Sequence, residues 1–186
     1  IAENKGSYTN TPGLLLTAAA NGAGYMIYDL STPQYFIDNT SDPTTIDHGV
    51  LNVDLTDREH TEAVRRTLKA LAAAGNAVML ADRENFAVFN TEASYPETAY
   101  EHTATVGGVS VTFTTAAGAV GFAIAYEGYV YLFATEETNV VLGGTGFSEA
   151  EYGAFEGGTW VSAGAAEGAD GGYALKDGKL CRVKLA

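Results

Sequence analysis

The sequence predicts a mainly β, α+β fold, in which an antiparallel β-sandwich or curled sheet is covered by one α-helix over about residues 57–74. Apolar and polar residues alternate through much of the second half of the chain, which is the pattern of strands with one buried face. Glycine-containing pairs separate these runs, as they do in hairpins. A single segment has the helical period, and its apolar face must lie on another layer.

Length and composition favour one ordered domain. The 186 residues suit either a single β-rich domain or two closely packed halves, with N-terminal hairpins over 1–54 and a helix plus sandwich over 55–186. Hydrophobic residues make up 46% and charged residues 18%, which excludes a disordered chain. All apolar stretches are shorter than the roughly 20 residues of a membrane helix, so membrane insertion is not expected.

The chain is strongly acidic. Ten Lys and Arg stand against 23 Asp and Glu, which gives a formal net charge of −13. This charge repels nucleic acid and anionic lipid, so we expect neither as a partner. We interpret the acidity as a solvated surface, with a cation site as the alternative.

The N-terminal segment is predicted to form a hairpin. Two apolar runs, Gly13–Ala20 and Gly24–Leu30, flank the pair Asn21-Gly22, which tolerates the positive φ of a tight turn. A third strand is expected at Gln34–Asp38, directly after Pro33.

The predicted helix has both of its ends marked in the sequence. Thr56 and Glu59 have the spacing of a capping box, and Gly75 is expected to end the helix. Its apolar positions recur at i, i+4 and i+7: Val64, Leu68 and Leu71.

Alternation and turn residues predict the strands that follow the helix. A hairpin is expected from Ala77–Ala81 and Asn85–Asn90, and a closing hairpin from Gly172–Leu175 and Lys179–Leu185 around Asp177-Gly178. Residues 143–172 are interpreted as loops around one short strand. Further strands are expected at Val109–Phe113, Val120–Tyr126, Tyr129–Thr135 and Asn139–Leu142.

Two of these strands have informative faces. The strand at 120–126 alternates large residues with Gly121, Ala123 and Ala125, so its bare face should let another element approach closely. Both faces of Tyr129–Thr135 are apolar, which places this strand centrally.

No motif for catalysis or for metal binding is present. His48, His60 and His102 are widely separated, and the single cysteine, Cys181, lies in an apolar run that predicts a buried packing thiol. No serine has a G-x-S-x-G frame, and the glycine tracts lack the Lys-Ser/Thr of a phosphate loop. We therefore expect no catalytic residue, no metal site and no cofactor.

Aromatic residues are the remaining functional signal. The chain has 11 Tyr, eight Phe and one Trp, and flat aromatic rings stack on the apolar faces of sugars. The best candidates for carbohydrate binding are those in loop-like contexts, and core packing is the alternative for each: Tyr95, Tyr100, Tyr152 and Trp160.

Several segments resemble a known class of module. The stretches Leu55–His60, Glu84–Asn90, Ala125–Phe133 and Lys176–Leu185 resemble, in their order, the β-rich accessory modules of large secreted bacterial glycoside hydrolases. Such modules follow the catalytic barrel, so the resemblance implies a non-catalytic domain that packs against a neighbouring catalytic domain or binds polysaccharide. It supplies no catalytic residue.

Composition favours an exported bacterial protein, secreted or at the cell surface. The chain begins at Ile1 rather than Met, is rich in Thr, Tyr and Gly, and has few Lys. Two other functions stay open: a structural subunit or adhesin of an extracellular assembly, which would self-associate through strand edges, and a small glycosidase with paired carboxylates.

Overall fold

The fold is a three-layer arrangement of helices, a first sheet and a second sheet. The computed structural model describes residues 10–23, 61–90, 99–115, 118–143, 148–166, 168–169, 172–176 and 178–185. Within these ranges the chain is mostly β, with two antiparallel sheets and two helices. The predicted class, a β-sandwich with a covering helix, is confirmed, with a second helix in the covering layer.

The elements follow one another in chain order. The helices are α1 (Thr11–Ala20) and α2 (Thr61–Leu80), and a short 3-10 helix spans Arg83–Asn85. The strands are β1 (Phe86–Phe89), β2 (Tyr100–Val106), β3 (Val109–Thr115), β4 (Gly121–Tyr126), β5 (Tyr129–Ala134), β6 (Thr138–Gly143), β7 (Ser148–Glu156), β8 (Thr159–Ala165), β9 (Gly168–Ala169), β10 (Gly172–Leu175) and β11 (Cys181–Lys184).

Both sheets are antiparallel throughout the described pairs. The six-stranded sheet has the order β1-β4-β5-β11-β7-β8, and the five-stranded sheet has the order β2-β3-β6-β10-β9. The predicted strands at 109–113, 120–126, 129–135 and 139–142 are confirmed as β3 to β6. The predicted central position of β5, between β4 and β11, is also confirmed.

Strands β4 and β5 of the six-stranded sheet are buried on both faces. Phe122 and Ile124 of β4 pack with Ala70 and Ala74 of α2, whereas Ala123 and Ala125 belong to the core between the sheets. The bare face of β4 therefore does what its small residues predict, since it lets the second sheet approach. The space above it is filled by Phe89 of β1, whose ring centroid lies 4.1 Å from that of Phe113 in β3.

The segment Gly13–Ala20 is helical, so the predicted first strand is wrong. Asn10 caps α1 by accepting a hydrogen bond from the Gly13 amide at 3.0 Å. Asn21 and Gly22 end the helix, with Gly22 at φ 66° and the Ala23 amide donating to the Ala18 carbonyl at 2.8 Å. The Asn-Gly pair is shared by tight hairpins and helix C-caps, which explains the error. The segments 24–30 and 34–38 lie outside the described residues.

Gly75 interrupts α2, so the predicted helix end at this residue holds for the first of two helical segments. Its backbone has φ 37° and ψ −105°, and the helix then resumes to Leu80. Ala77, predicted to begin a strand, is buried against the sheet, and the Ala81 amide donates to the Ala77 carbonyl. The predicted hairpin is thus wrong in its first half only, because β1 does form over 86–89 and pairs with β4. The capping box at Thr56 and Glu59 lies outside the described residues.

Two predictions in the C-terminal third are wrong. The stretch 143–172 holds the long strands β7 and β8, joined at Gly157-Gly158, whose φ values of 56° and 83° suit a two-residue hairpin turn. The closing strands do not pair with each other, since β10 joins β6 and β9 while β11 joins β5 and β7. The turn closed by the hydrogen bond from the Lys179 amide to the Lys176 carbonyl, which includes Gly178, therefore carries the chain from one sheet to the other.

A buried asparagine pair ties α1 to the sandwich. The Asn10 amide nitrogen donates to the Asn90 carbonyl at 2.8 Å, and Asn90 in turn donates to the Ala119 carbonyl. Both side chains are buried, so each hydrogen bond replaces one that water would otherwise make. This link fixes the start of α1 against the end of β1.

We expect Asn10→Ala to lower the free energy of unfolding by about 2 kcal/mol, because it removes a helix cap and leaves the Asn90 carbonyl unsatisfied. Urea unfolding followed by circular dichroism measures this. Asn139→Ala, at an exposed position of β6, is the matched control and should change little. Equal effects of the two variants would contradict a structural role for the Asn10 link.

Candidate functional site

The candidate site lies on the helix-facing side of the six-stranded sheet, over β5, β11, β7 and β8. We call it the Arg182 cluster and define it by five residues: Tyr129, Tyr131, Glu151, Trp160 and Arg182. Its aromatic residues belong to the apolar cluster beneath the helices, and Tyr129 and Trp160 are partly exposed at the margin of that cluster. The site is thus where the covering layer gives way to solvent.

Arg182 is held by stacking and by an ion pair. Its guanidinium carbon lies 4.2 Å from the ring centroid of Tyr129 and 4.5 Å from that of Trp160. Its Nε donates to Glu151 Oε1 at 2.8 Å, and Nη2 lies 2.6 Å from the same oxygen. Arg182 and Glu151 are direct cross-strand partners in β11 and β7, so sheet register alone brings them together.

Glu151 is held in its charged form. A hydrogen bond from Ser162 lowers the pKa of the Glu151 carboxyl, Arg182 lowers it further, and partial burial opposes both effects. The indole Nε1 of Trp160 is buried and makes no hydrogen bond of ordinary geometry. It nevertheless lies close enough to Glu151 to help lower the pKa of that carboxyl. A carboxyl group whose pKa is lowered stabilises a neighbouring cation at neutral pH and is poorly suited to donate a proton.

The Trp160 ring is positioned by its neighbours on the sheet. It makes edge contacts with Tyr131 and Phe155, each with 5.6 Å between centroids. The ring also covers Gly153, where a Cβ would lie 2.5 Å from Cζ2 of Trp160. Phe155 in turn packs below the kink of α2, where a Cβ on Gly75 would lie 3.3 Å from that of Phe155. The helix layer therefore supports the site indirectly.

The structure brings only one of the four predicted carbohydrate-binding residues into this cluster, Trp160. The predicted loop contexts of Trp160, Tyr152 and Tyr100 are wrong, because all three lie in strands. Tyr100 begins β2 in the other sheet, opposite Thr115. Tyr95 lies outside the described residues.

The side chain of Tyr152 is buried and forms hydrogen bonds within the protein. Its side chain is 7% exposed and lies in the core between the sheets. Its hydroxyl donates to the Ala174 carbonyl at 2.9 Å and accepts from the Lys176 amide at 3.2 Å. These bonds fix the chain where it leaves β10 for the other sheet, and the ring itself is buried among core residues.

Sequence reasoning missed the other four members of the cluster as site residues: Tyr129, Tyr131, Glu151 and Arg182. Arg182 is the only charge within the apolar run Leu180–Val183, which was a usable signal, since a charge on a buried strand needs a partner. Nothing along the chain shows that the partner is Glu151.

Other chemistry has little support in the described part of the chain. No group of three or more His, Cys, Asp or Glu residues there is arranged to hold a metal ion. Cys181 is buried, as predicted, and burial raises the pKa of its thiol to about 12, so it is not a nucleophile at neutral pH. Neither described helix is long and apolar enough to cross a membrane.

We expect Gly153→Val to displace the Trp160 ring, because the added side chain would occupy the space that the ring fills. Trp160 is the only tryptophan, so its fluorescence emission reports this directly, and a red shift is expected. Gly168→Ala is the control, since a Cβ there meets nothing closer than 3.7 Å. An unchanged spectrum for Gly153→Val would contradict the packing described above.

The lowered pKa of Glu151 predicts a pH dependence of stability. The unfolded chain binds a proton at Glu151 more tightly than the folded chain does. The ion pair with Arg182 therefore stabilises the fold at pH values above the ordinary pKa of 4.5. This stabilisation is lost as the pH falls through the lower pKa that Glu151 has in the folded chain. We expect Glu151→Gln to reduce the loss of unfolding free energy between about pH 7 and pH 3. Glu137→Gln, at an exposed position, should retain the wild-type loss; equal losses in all three proteins would exclude this contribution.

Comparison with known families adds a relationship without a function. A search of curated proteins found no match. A model of the family described as a domain of unknown function (DUF4978) matches residues 1–96, that is 96 of the 186 residues. The match includes α1, α2 and β1, and ends before the strands that carry the Arg182 cluster. Because this match extends over more than half of the chain, the chain belongs to the DUF4978 family.

Proposed function

We propose that the chain is a non-catalytic, extracellular accessory module of a bacterial carbohydrate-active protein, and that it binds polysaccharide at the Arg182 cluster. The observation that carries this proposal is a pair of partly exposed aromatic rings, those of Tyr129 and Trp160. Both rings contact the guanidinium of Arg182. The resemblance to accessory modules of secreted glycoside hydrolases supports it.

The cluster has the groups that a sugar requires. Partly exposed aromatic rings can stack on the C–H faces of a sugar, and hydroxyl and carboxylate groups beside them can accept or donate hydrogen bonds. Ser162 lies two residues after Trp160 on β8, is exposed, and therefore projects from the same face. Tyr129 supplies a second hydroxyl.

The cluster is also rigid before any ligand arrives. Its residues lie on four neighbouring strands rather than on loops, and each charged or aromatic side chain contacts another member. Ordering side chains on binding costs about 0.5–1.5 kcal/mol for each flexible group, so a preformed surface loses less affinity to this cost.

A hydrolytic function is less well supported. Glycoside hydrolysis uses two carboxyl groups, one with a raised pKa that protonates the leaving group. The carboxyl in the cluster has a lowered pKa and is engaged with Arg182. We therefore assign the cluster to binding.

The edge strand β8 bears on the alternative of a structural subunit. All its residues except Trp160 are exposed, and none is charged, which favours pairing with another strand. However, Ala163 is an extra residue opposite the Tyr152–Gly153 step, and Gly164 has φ 122°. Such a bulge interrupts the row of edge hydrogen-bonding groups and protects against pairing. We therefore favour polysaccharide binding over assembly through this edge.

We expect Trp160→Ala to weaken binding to polysaccharide at least about tenfold, because it removes the larger stacking surface. Affinity electrophoresis in gels that contain a panel of soluble polysaccharides measures the retention. Val161→Ala is the matched control, since Val161 is the next residue of β8, is 44% exposed and lies on the opposite face. It should be retained like the wild type.

Two outcomes would contradict the proposal. Equal retention of Trp160→Ala and the wild type would remove the cluster as the binding site. No retention of the wild type on any polysaccharide would leave packing against a neighbouring catalytic domain as the accessory role.

A further inference from the structure

We infer that the Arg182 cluster selects uncharged polysaccharides and discriminates against chains that carry carboxylate or sulfate groups. This inference rests on the proposed function and specifies its ligand class. It follows from how the one arginine in the cluster is engaged and from the charges of the strands around it.

Arg182 is not available to an acidic sugar. Recognition of a carboxylate or sulfate by arginine requires free N–H groups along one edge of the guanidinium. Here Nε and Nη2 both face Glu151 Oε1, at 2.8 and 2.6 Å, and the rings of Tyr129 and Trp160 lie within 4.5 Å of the guanidinium carbon. The side chain is only 17% exposed. One edge of the guanidinium is therefore occupied by Glu151, whose carboxylate compensates its charge.

The segments around the cluster carry a net negative charge. The turn before β5, together with β7, β8 and β11, carries four acidic residues and two basic ones: Glu127, Glu149, Glu151 and Glu156 against Arg182 and Lys184. The chain as a whole has a formal net charge of −13. An anionic polymer meets repulsion at long range and finds no unpaired cation in the cluster to offset it.

The groups that remain exposed suit an uncharged sugar. Tyr129 and Trp160 are partly exposed and offer apolar ring surface, and the hydroxyl of Tyr129 offers a neutral hydrogen bond. Stacking and neutral hydrogen bonds depend little on salt, so binding to an uncharged chain should persist at high ionic strength.

The experiment uses matched polymers. The wild-type chain is titrated with the neutral polysaccharide that retains it in affinity electrophoresis and with a carboxymethylated polysaccharide of the same backbone; hydroxyethylcellulose and carboxymethylcellulose, both derived from cellulose, form one such pair. Trp160 fluorescence reports binding. At low ionic strength we expect at least about tenfold weaker binding of the carboxymethylated chain.

Two variants locate the selectivity. Glu151→Gln removes the negative charge opposite Arg182 and leaves the guanidinium without a counter-ion, so it should shift the preference toward the carboxymethylated chain by about fivefold relative to the wild type. Glu137→Gln changes the net charge by the same amount at an exposed position in the turn between β5 and β6, and should not shift the preference.

The outcomes separate this inference from the proposed function. Binding of the carboxymethylated chain as tightly as the neutral one overturns the inference and leaves polysaccharide binding intact. Equal shifts in Glu151→Gln and Glu137→Gln overturn the assignment of selectivity to the cluster. Failure of the wild type to bind either polymer overturns polysaccharide binding at the Arg182 cluster, and this inference with it.

Discussion

The burial of strands β4 and β5 on both faces is the constraint on which the rest of the structure depends. Along β4, every large residue points toward the helices and every small residue toward the second sheet. Phe122 and Ile124 thereby build one core, while Ala123 and Ala125 leave room for Phe89 and Phe113 in the other. Because α2 crosses β4, β5 and β7, the helix layer leaves part of the sheet uncovered near β8. The Arg182 cluster occupies that margin.

Placing an arginine on β11 would be unfavourable without its surroundings. A charge that loses most of its water needs both an opposite charge and further favourable contacts. Glu151 supplies the first from the adjacent strand, and the rings of Tyr129 and Trp160 supply the second. Each cation–π contact contributes about 0.5–2 kcal/mol, depending on how far it is desolvated. The same contacts that make Arg182 tolerable also fix the two rings that we assign to ligand binding.

The sequence predicted the parts of the fold whose signals are local. In strands β3 to β6 side chains of two kinds alternate regularly, and glycines lie in turns between them. The existence and the position of these strands could therefore be predicted from the sequence. Prediction failed at Asn21-Gly22 because this pair is found both in hairpin turns and at the ends of helices. It failed at β7 because the Gly, Ala and Glu residues of this strand are poor strand formers, and pairing with neighbouring strands overrides their weak propensity. Trp160 stood out as the single tryptophan. Its partners did not, because Glu151 and Arg182 are brought together only by the order β11-β7-β8.

The family relationship and the proposed site concern different parts of the molecule, and the physics explains how they fit together. The matched residues 1–96 include α1, α2 and β1, which cover the sheet and close the core beside β4. The Arg182 cluster lies beyond residue 96, but Phe155 connects it to the kink of α2 at Gly75. The helix layer therefore acts on the site through packing rather than through contact with a ligand. The covering layer fixes the Phe155 side of the Phe155 and Trp160 pair and leaves Trp160 partly exposed, which is the arrangement that the binding surface proposed above requires.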